Sequence, residues 1–128
     1  MPSTILIVDD EKNIRRTVRM VLEGEGFEVE EAGSGEEALA RLPEVAPDVV
    51  LLDVQLPGVS GLDVLDALGR PGAPEPVPSV IMISGHATLA DAVRATRAGA
   101  YDFLEKPLDR DRLMVTLRNA VERRAMAK

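Results

Sequence analysis

Three uninterrupted apolar runs, Ile5-Leu6-Ile7-Val8, Val49-Val50-Leu51-Leu52 and Val80-Ile81-Met82-Ile83, constrain this chain more than any other feature. A strand that is apolar at every position is buried on both faces, the pattern of a parallel sheet covered by helices on each side. The segments between the runs supply such helices. Ile14, Val18, Val21 and Leu22 recur at helical spacing opposite Lys12, Arg16, Arg19 and Glu23, with Gly24 and Gly26 as the stop. Phe27-Glu28-Val29-Glu30-Glu31-Ala32 instead alternates apolar and acidic residues, which predicts a strand at the sheet periphery.

Ser34-Gly35-Glu36-Glu37 reads as a capping box. Ser34 accepts from the third helical amide and Glu37 reaches back, ahead of Ala38, Leu39 and Leu42, with Pro43 and Pro47 closing this second helix. The turn Leu56-Pro57-Gly58-Val59-Ser60-Gly61 leads into a third helix with Leu62, Val64, Leu65 and Leu68, ended by Gly69. Residues 69–78 hold so many prolines and glycines that they predict a crossing loop within one domain. A fourth helix is expected over about 88–98. Its inward positions are mostly alanine, with Leu89 and Val93 the only large apolar residues, so at roughly 25 cal/mol per Å² it gains less from burial than the first helix. It is expected to be the helix most easily displaced. Tyr101-Asp102-Phe103-Leu104 forms a fifth strand, and Asp109 caps a last helix with the stripe Leu113, Leu117, Ala120 and Val121. Five strands alternating with five helices predict a doubly wound α/β fold with right-handed crossovers. Residues 1–128 are read as a single domain, with 122–128 polar enough to begin a linker.

The apolar runs end in chemistry. The first leads to Asp9-Asp10-Glu11, the second to Asp53, the third to Ser84-Gly85, and the fifth strand to Lys106-Pro107. The carboxyl ends of parallel strands lie along one edge, so three acids, a hydroxyl and an amine converge there. A carboxylate at the end of a buried strand is costly unless something compensates it, which makes Asp53 the residue that demands a partner. Taken singly, each has a plainer reading: Asp10 as a cap of the first helix, Lys106 as a solvated surface residue, Ser84 as a turn residue. The specificity lies in their convergence.

Composition excludes several classes. There is no cysteine, hence no disulfide framework or thiolate chemistry, which fits a reduced cytoplasm. The apolar runs are too short to span a membrane, and Met1-Pro2-Ser3 leads into a strand without a signal-peptide pattern. A net charge of −7 opposes direct binding of nucleic acid by this segment.

These residues resemble the receiver domain of bacterial two-component response regulators along essentially the whole chain. The segments Ser84-Gly85-His86-Ala87-Thr88 and Ala98-Gly99-Ala100-Tyr101-Asp102-Phe103-Leu104-Glu105-Lys106-Pro107 are most similar to receivers of sigma-54-dependent transcriptional activators. The resemblance implies a flavodoxin-like sheet of order 2-1-3-4-5. It also implies that Asp53 is the phosphoacceptor, that Asp10, Asp53 and the backbone carbonyl of Gln55 hold Mg2+ with Asp9 acting through water, and that Lys106 and Ser84 cover the phosphoryl oxygens. Clustered carboxylates and a hard divalent cation suit one another chemically. Ser84 and Phe103 are the implied switch residues, Phe103 standing where many relatives carry Tyr. The Lys106-Pro107 bond is the implied cis-proline.

The implied phosphodonor is a sensor histidine kinase or histidine phosphotransfer protein, with Ile14, Thr17 and Pro107 as candidate contacts. The face of fourth helix, fifth strand and fifth helix is a candidate homodimer surface, with Arg94, Arg97, Asp102, Glu105, Arg118 and Glu122 as its charges. On this reading the chain is a cytoplasmic phosphorylation switch that catalyses only its own phosphorylation and dephosphorylation and controls an effector such as transcription. Two alternatives differ in class: a phosphate-independent pseudo-receiver, and a Mg2+-dependent aspartyl-phosphate phosphatase. Gln55 disfavours the second, since such enzymes usually carry an acid two residues after the nucleophile.

Overall fold

Strand β1 (Thr4–Val8) is fed by the first apolar run, and its residues divide by parity between the two faces of the sheet. Leu6 and Val8 enter one core cluster, Ile5 and Ile7 the other. The same division splits β3 (Val49–Asp53) and β4 (Ser79–Ser84), so each central strand contributes to two cores. With β2 (Glu28–Ala32) and β5 (Asp102–Glu105) they form a five-stranded parallel sheet of order β2-β1-β3-β4-β5. The computed structural model describes residues 2–71, 73, 77–86 and 88–126.

Helices α1 (Lys12–Gly24) and α5 (Arg110–Met126) cover the Ile5/Ile7 face through Val18, Leu22, Leu113, Met114, Leu117 and Ala120. Helices α2 (Gly35–Val45), α3 (Gly61–Leu68) and α4 (Leu89–Arg97) cover the other. The sheet is thus doubly wound, and β2 sits at the edge as its alternating pattern requires.

Several local expectations need correction. Pro43 does not close α2 but lies inside it, while the helix runs on to Val45. The stop comes from Pro47, whose ring disfavours the right-handed region at Ala46; Ala46 turns left-handed at φ 46°. At the start of α2, Ser34 accepts from Glu37 N as expected, but the Glu37 carboxylate takes the Gly33 amide. A reciprocal capping box does form at α4, where Thr88 and Asp91 bond each other's amides.

Leu89 and Val93 do not face inward. They are 82 % and 42 % exposed, and Ala95 is the only residue of α4 that is fully buried. Charge supplies part of the attachment that apolar burial does not: Arg94 Nη2 reaches Asp63 Oδ1 at 3.2 Å and Asp66 Oδ2 at 2.7 Å on α3. The fifth strand begins one residue later than expected, at Asp102. Helix α5 continues through Met126, so the stretch expected to begin a linker is helical up to there. Gly72, Pro74, Glu75 and Pro76 of the crossing loop, Ala87, and the terminal Ala127 and Lys128 lie outside the described residues.

Candidate functional site

Sheet register sets the site. Val8 pairs with Leu52, so the next residues, Asp9 and Asp53, emerge side by side; Asp53 pairs with Ile83, which places Ser84 one step beyond. Ser84 pairs with Glu105, and the Lys106 amide donates to Ser84 O at 2.9 Å, bringing the lysine to the same edge. The Lys106–Pro107 peptide is cis.

Asp9 and Asp53 are both only 4 % exposed. Lys106 Nζ donates to Asp9 Oδ2 at 2.9 Å and to Asp53 Oδ2 at 2.8 Å, which is the compensation Asp53 requires. Asp53 Oδ1 accepts from Gln55 N at 2.9 Å, and Asp9 Oδ1 from Glu11 N at 2.8 Å. Asp10 is exposed and does not cap α1: Glu11 occupies the cap position, with no side-chain cap bond. Asp9, Asp10 and Asp53 nevertheless each offer an oxygen, all within 4.8 Å of one another. Ser84 is buried, and its Oγ accepts from His86 N at 3.1 Å, leaving its own proton free to donate.

The electrostatics follow from burial and crowding. Burial pushes the Asp53 carboxyl above its ordinary value, the Lys106 and Gln55 bonds pull it back, and the Asp9 charge adds to the rise. For Lys106, burial lowers the value, but the bonds to Asp53 and Asp9 outweigh it and hold the ammonium above its ordinary value. The Lys106 ammonium is shared by two buried acids, with the exposed Asp10 beside them. Such a site is suited to take up positive charge and to carry a nucleophilic carboxylate.

Two positions assigned no role at the site from sequence, Gly61 and Arg15, support the acids. Gly61, the first residue of α3, presses against the backbone of Asp53: a Cβ there would lie 1.9 Å from the Asp53 carbonyl oxygen. Its amide donates to Val54 O at 3.0 Å. Arg15 donates to Asp9 O at 2.7 Å and to Glu31 Oε1 at 3.0 Å. Glycine after a turn is a visible signal for close approach, whereas nothing in the local pattern distinguishes Arg15 from its neighbour Arg16.

The other expected residues fall in two places. Ile14, Thr17 and Pro107 line one cleft of about 620 Å³ between α1 and the start of α5, together with Lys106. Phe103 is partly buried against the α4 side of the core and lines a second cleft of about 550 Å³ with Ala92, Pro107 and Arg112. Of the charges expected on the α4–β5–α5 face, Arg94 is engaged by α3, Arg118 by Glu25, and Asp102 accepts from the adjacent Phe103 amide.

A doubly wound sheet of order 2-1-3-4-5 with this acid and lysine cluster at its carboxyl edge defines the CheY-like class of flavodoxin folds. The profile of the response regulator receiver domain matches residues 5–118, and the chain belongs to that family of regulatory domains. It is 42 % identical over 124 residues to the nitrogen assimilation regulatory protein NtrX of Azorhizobium caulinodans, covering 95 % of this chain and 27 % of that protein. Among solved structures, a CheY-like receiver domain from Methanospirillum hungatei JF-1 superposes with a TM-score of 0.89 at 30 % identity over the whole of both chains. NtrX from Brucella abortus does so with a TM-score of 0.87 at 41 % identity, over 99 % of this chain and 28 % of that one. The chain spans about a quarter of the length of the NtrX-type relatives that it matches. Among the described residues, no helix is long and apolar enough to cross a membrane.

Proposed function

We propose that the chain is a phosphorylation-activated switch whose phosphoacceptor is Asp53. The observation that carries this reading is the buried convergence of Asp9 and Asp53 on Lys106, with Asp10 and Ser84 at the same edge. An Asp53 oxygen attacks the phosphorus of a phosphohistidine donor. A P–O bond forms, the donor's P–N bond breaks, and the imidazole, already protonated on its other ring nitrogen, leaves neutral with the electron pair of the broken bond. Lys106, already bonded to Asp53, offsets the negative charge that arrives with the phosphoryl group, and the free Ser84 proton is available to one of its oxygens.

The donor set fits a hard divalent cation: three carboxylates meet within 4.8 Å, and Lys106 is ion-paired with two of them, Asp9 and Asp53. Asp10, Asp53 and the Gln55 carbonyl would hold Mg2+ directly, with Asp9 acting through water. Bound there, Mg2+ supplies charge neutralisation for the incoming phosphoryl oxygens. Apart from turning over its own phosphoryl group, the domain is regulatory rather than enzymatic.

The donor is a sensor histidine kinase or phosphotransfer protein docking over the cleft that holds Ile14, Thr17 and Pro107. Output runs through α4, which buries little and is tethered to α3 by Arg94. Phosphorylation shifts a two-state equilibrium of α4 and β5, with Ser84 and Phe103 as the coupled pair. Phe103 has no phenolic hydroxyl, so this coupling rests on packing. The α4–β5–α5 face serves homodimerisation, the effector is transcriptional, and residues 1–128 act as one cytoplasmic receiver domain of the sigma-54-activator type. Intact-mass spectrometry after incubation with acetyl phosphate tests the core of this reading. One phosphoryl adduct that requires Mg2+ and is lost in Asp53→Asn is expected. An adduct that persists in the variant would overturn it, as would failure of the native chain to bind beryllofluoride.

A further inference from the structure

The Asp9–Asp10 turn is gripped at several points, but not at the carboxylate that most needs placing. The Asp9 amide donates to Ala32 O at 3.2 Å, its Oδ1 accepts from Glu11 N and its Oδ2 from Lys106. Asp10 is exposed, and among the described residues no side-chain hydrogen bond to its carboxylate is found. Its oxygen still comes within reach of the other two acids. The peptide that precedes it supplies the constraint. That unit is planar, so holding the Asp9 carbonyl oxygen also sets the direction in which the Asp10 Cα leaves.

Arg15 Nη1 holds that oxygen at 2.7 Å. The same guanidinium is anchored through Nε to Glu31 Oε1 on β2, while Arg19 Nη1 takes Glu31 Oε2 at 2.9 Å. The Arg15 side chain is 17 % exposed, and its Nη1 stands 3.4 Å from where a Cβ on Gly33 would lie. The end of β1, the last residues of β2 and the turn into α2 therefore enclose it.

We propose that Arg15 is a positioning residue for cation binding: it clamps the Asp9–Asp10 peptide to β2 and so presents the Asp10 carboxylate to the divalent ion. The inference rests on the Mg2+-dependent reading of the site. Simple charge counting predicts the opposite effect. Arg15 is a cation near three carboxylates, so its loss should tighten Mg2+ binding by Coulomb attraction alone, whereas loss of a clamp weakens it.

Isothermal titration with Mg2+ alone tests this on the native chain, Arg15→Gln, Arg15→Lys and Arg19→Gln, each checked for folding by urea denaturation. Arg15→Gln is expected to bind Mg2+ about 10- to 100-fold more weakly, the range for loss of an outer-shell partner. Arg15→Lys keeps the charge but lacks the fork that spans Asp9 and Glu31, so it should also weaken binding. Arg19→Gln loses the same charge and a Glu31 partner without touching Asp9, and should stay within about twofold of native. Arg15 variants that bind as tightly as native, or more tightly, would overturn the inference while leaving the proposed function intact. A native chain that binds no Mg2+ would overturn the proposed function itself. If Arg15→Gln fails to fold, Arg15→Lys decides.

Discussion

Replacing Gly61 with alanine is the smallest change that should reach the proposed phosphoacceptor, Asp53, through the backbone. The added Cβ would stand 1.9 Å from the Asp53 carbonyl oxygen, 2.8 Å from its carbon and 2.9 Å from Val54 Cα. None of these is the end of a flexible side chain, so relief demands a relative movement of roughly 1 Å or more between the start of α3 and the end of β3. Overpacking of this kind costs about 1–3 kcal/mol, and loss of the Gly61 N to Val54 O bond adds about 1 kcal/mol. The expected destabilisation is about 2–4 kcal/mol, or about 8–16 °C in Tm at about 4 °C per kcal/mol. If Asp53 is the nucleophile as proposed, a 1 Å misplacement should also slow phosphorylation by acetyl phosphate about 100-fold, beyond any loss of folded protein. Urea denaturation and the initial rate of adduct formation read the two effects separately. Gly24→Ala is the control, because nothing lies within 4 Å of a Cβ there and alanine favours the helix by up to about 1 kcal/mol. A Gly61→Ala protein with native Tm and native phosphorylation rate would refute the close-approach reasoning.

Lys106→Met should leave Asp9 and Asp53 buried without their cation and cost about 2–4 kcal/mol in urea denaturation, less than for a fully enclosed pair because the ammonium is partly solvated. Asp53→Asn should instead raise stability at pH 7, since it removes a carboxylate that burial disfavours. The pH dependence has a definite sign. With its folded value raised, Asp53 binds more protons in the native state than in the unfolded one, so its contribution is fully present below the unfolded value of 3.8 and is lost as pH rises through the folded value. Glu31 is lowered, chiefly by Arg19 and despite burial. Its contribution is present above the unfolded value of 4.5 and lost as pH falls through the folded value. Native-minus-variant stability curves for Asp53→Asn and Glu31→Gln should therefore slope in opposite directions with pH; parallel slopes would contradict the assignments. Relaxation-dispersion NMR should find exchange in α4 and β5 that beryllofluoride shifts, with Arg94→Gln increasing the excursion at a stability cost below about 1 kcal/mol. An α4 equally rigid and unmoved in all three samples would remove it as the output element.

The elements were legible because the strongest signals were local. Uninterrupted apolar strands imply helices on both faces, the alternating Glu28–Ala32 segment implies an edge, and strand ends that terminate in Asp9, Asp53, Ser84 and Lys106 imply a common site. The strand order came from the family resemblance, since periodicity does not say which strands are neighbours. What escaped was tertiary. Leu89 and Val93 form a helical stripe, but whether it faces the core depends on how α4 is tethered, and Arg94 is bonded to Asp63 and Asp66 about thirty residues away. Arg15 acts through a carbonyl and an edge-strand carboxylate, contacts with no signature in spacing. Pro43 is the converse case: a strong local breaker signal is overridden where Leu42 is buried and Arg41 is bonded to β2 through Glu30 and the Glu31 carbonyl.

On the proposed function Asp53, and not Asp9 or Asp10, carries the phosphoryl group. Borohydride reduces an acyl phosphate to the corresponding alcohol, so trapping the acetyl phosphate-treated chain and sequencing its peptides by tandem mass spectrometry locates the modified carboxylate directly. Homoserine at position 53 alone, dependent on Mg2+, is the expected result. Homoserine at position 9 or 10, or trapping at position 53 that is unaffected by removing Mg2+, would contradict the account.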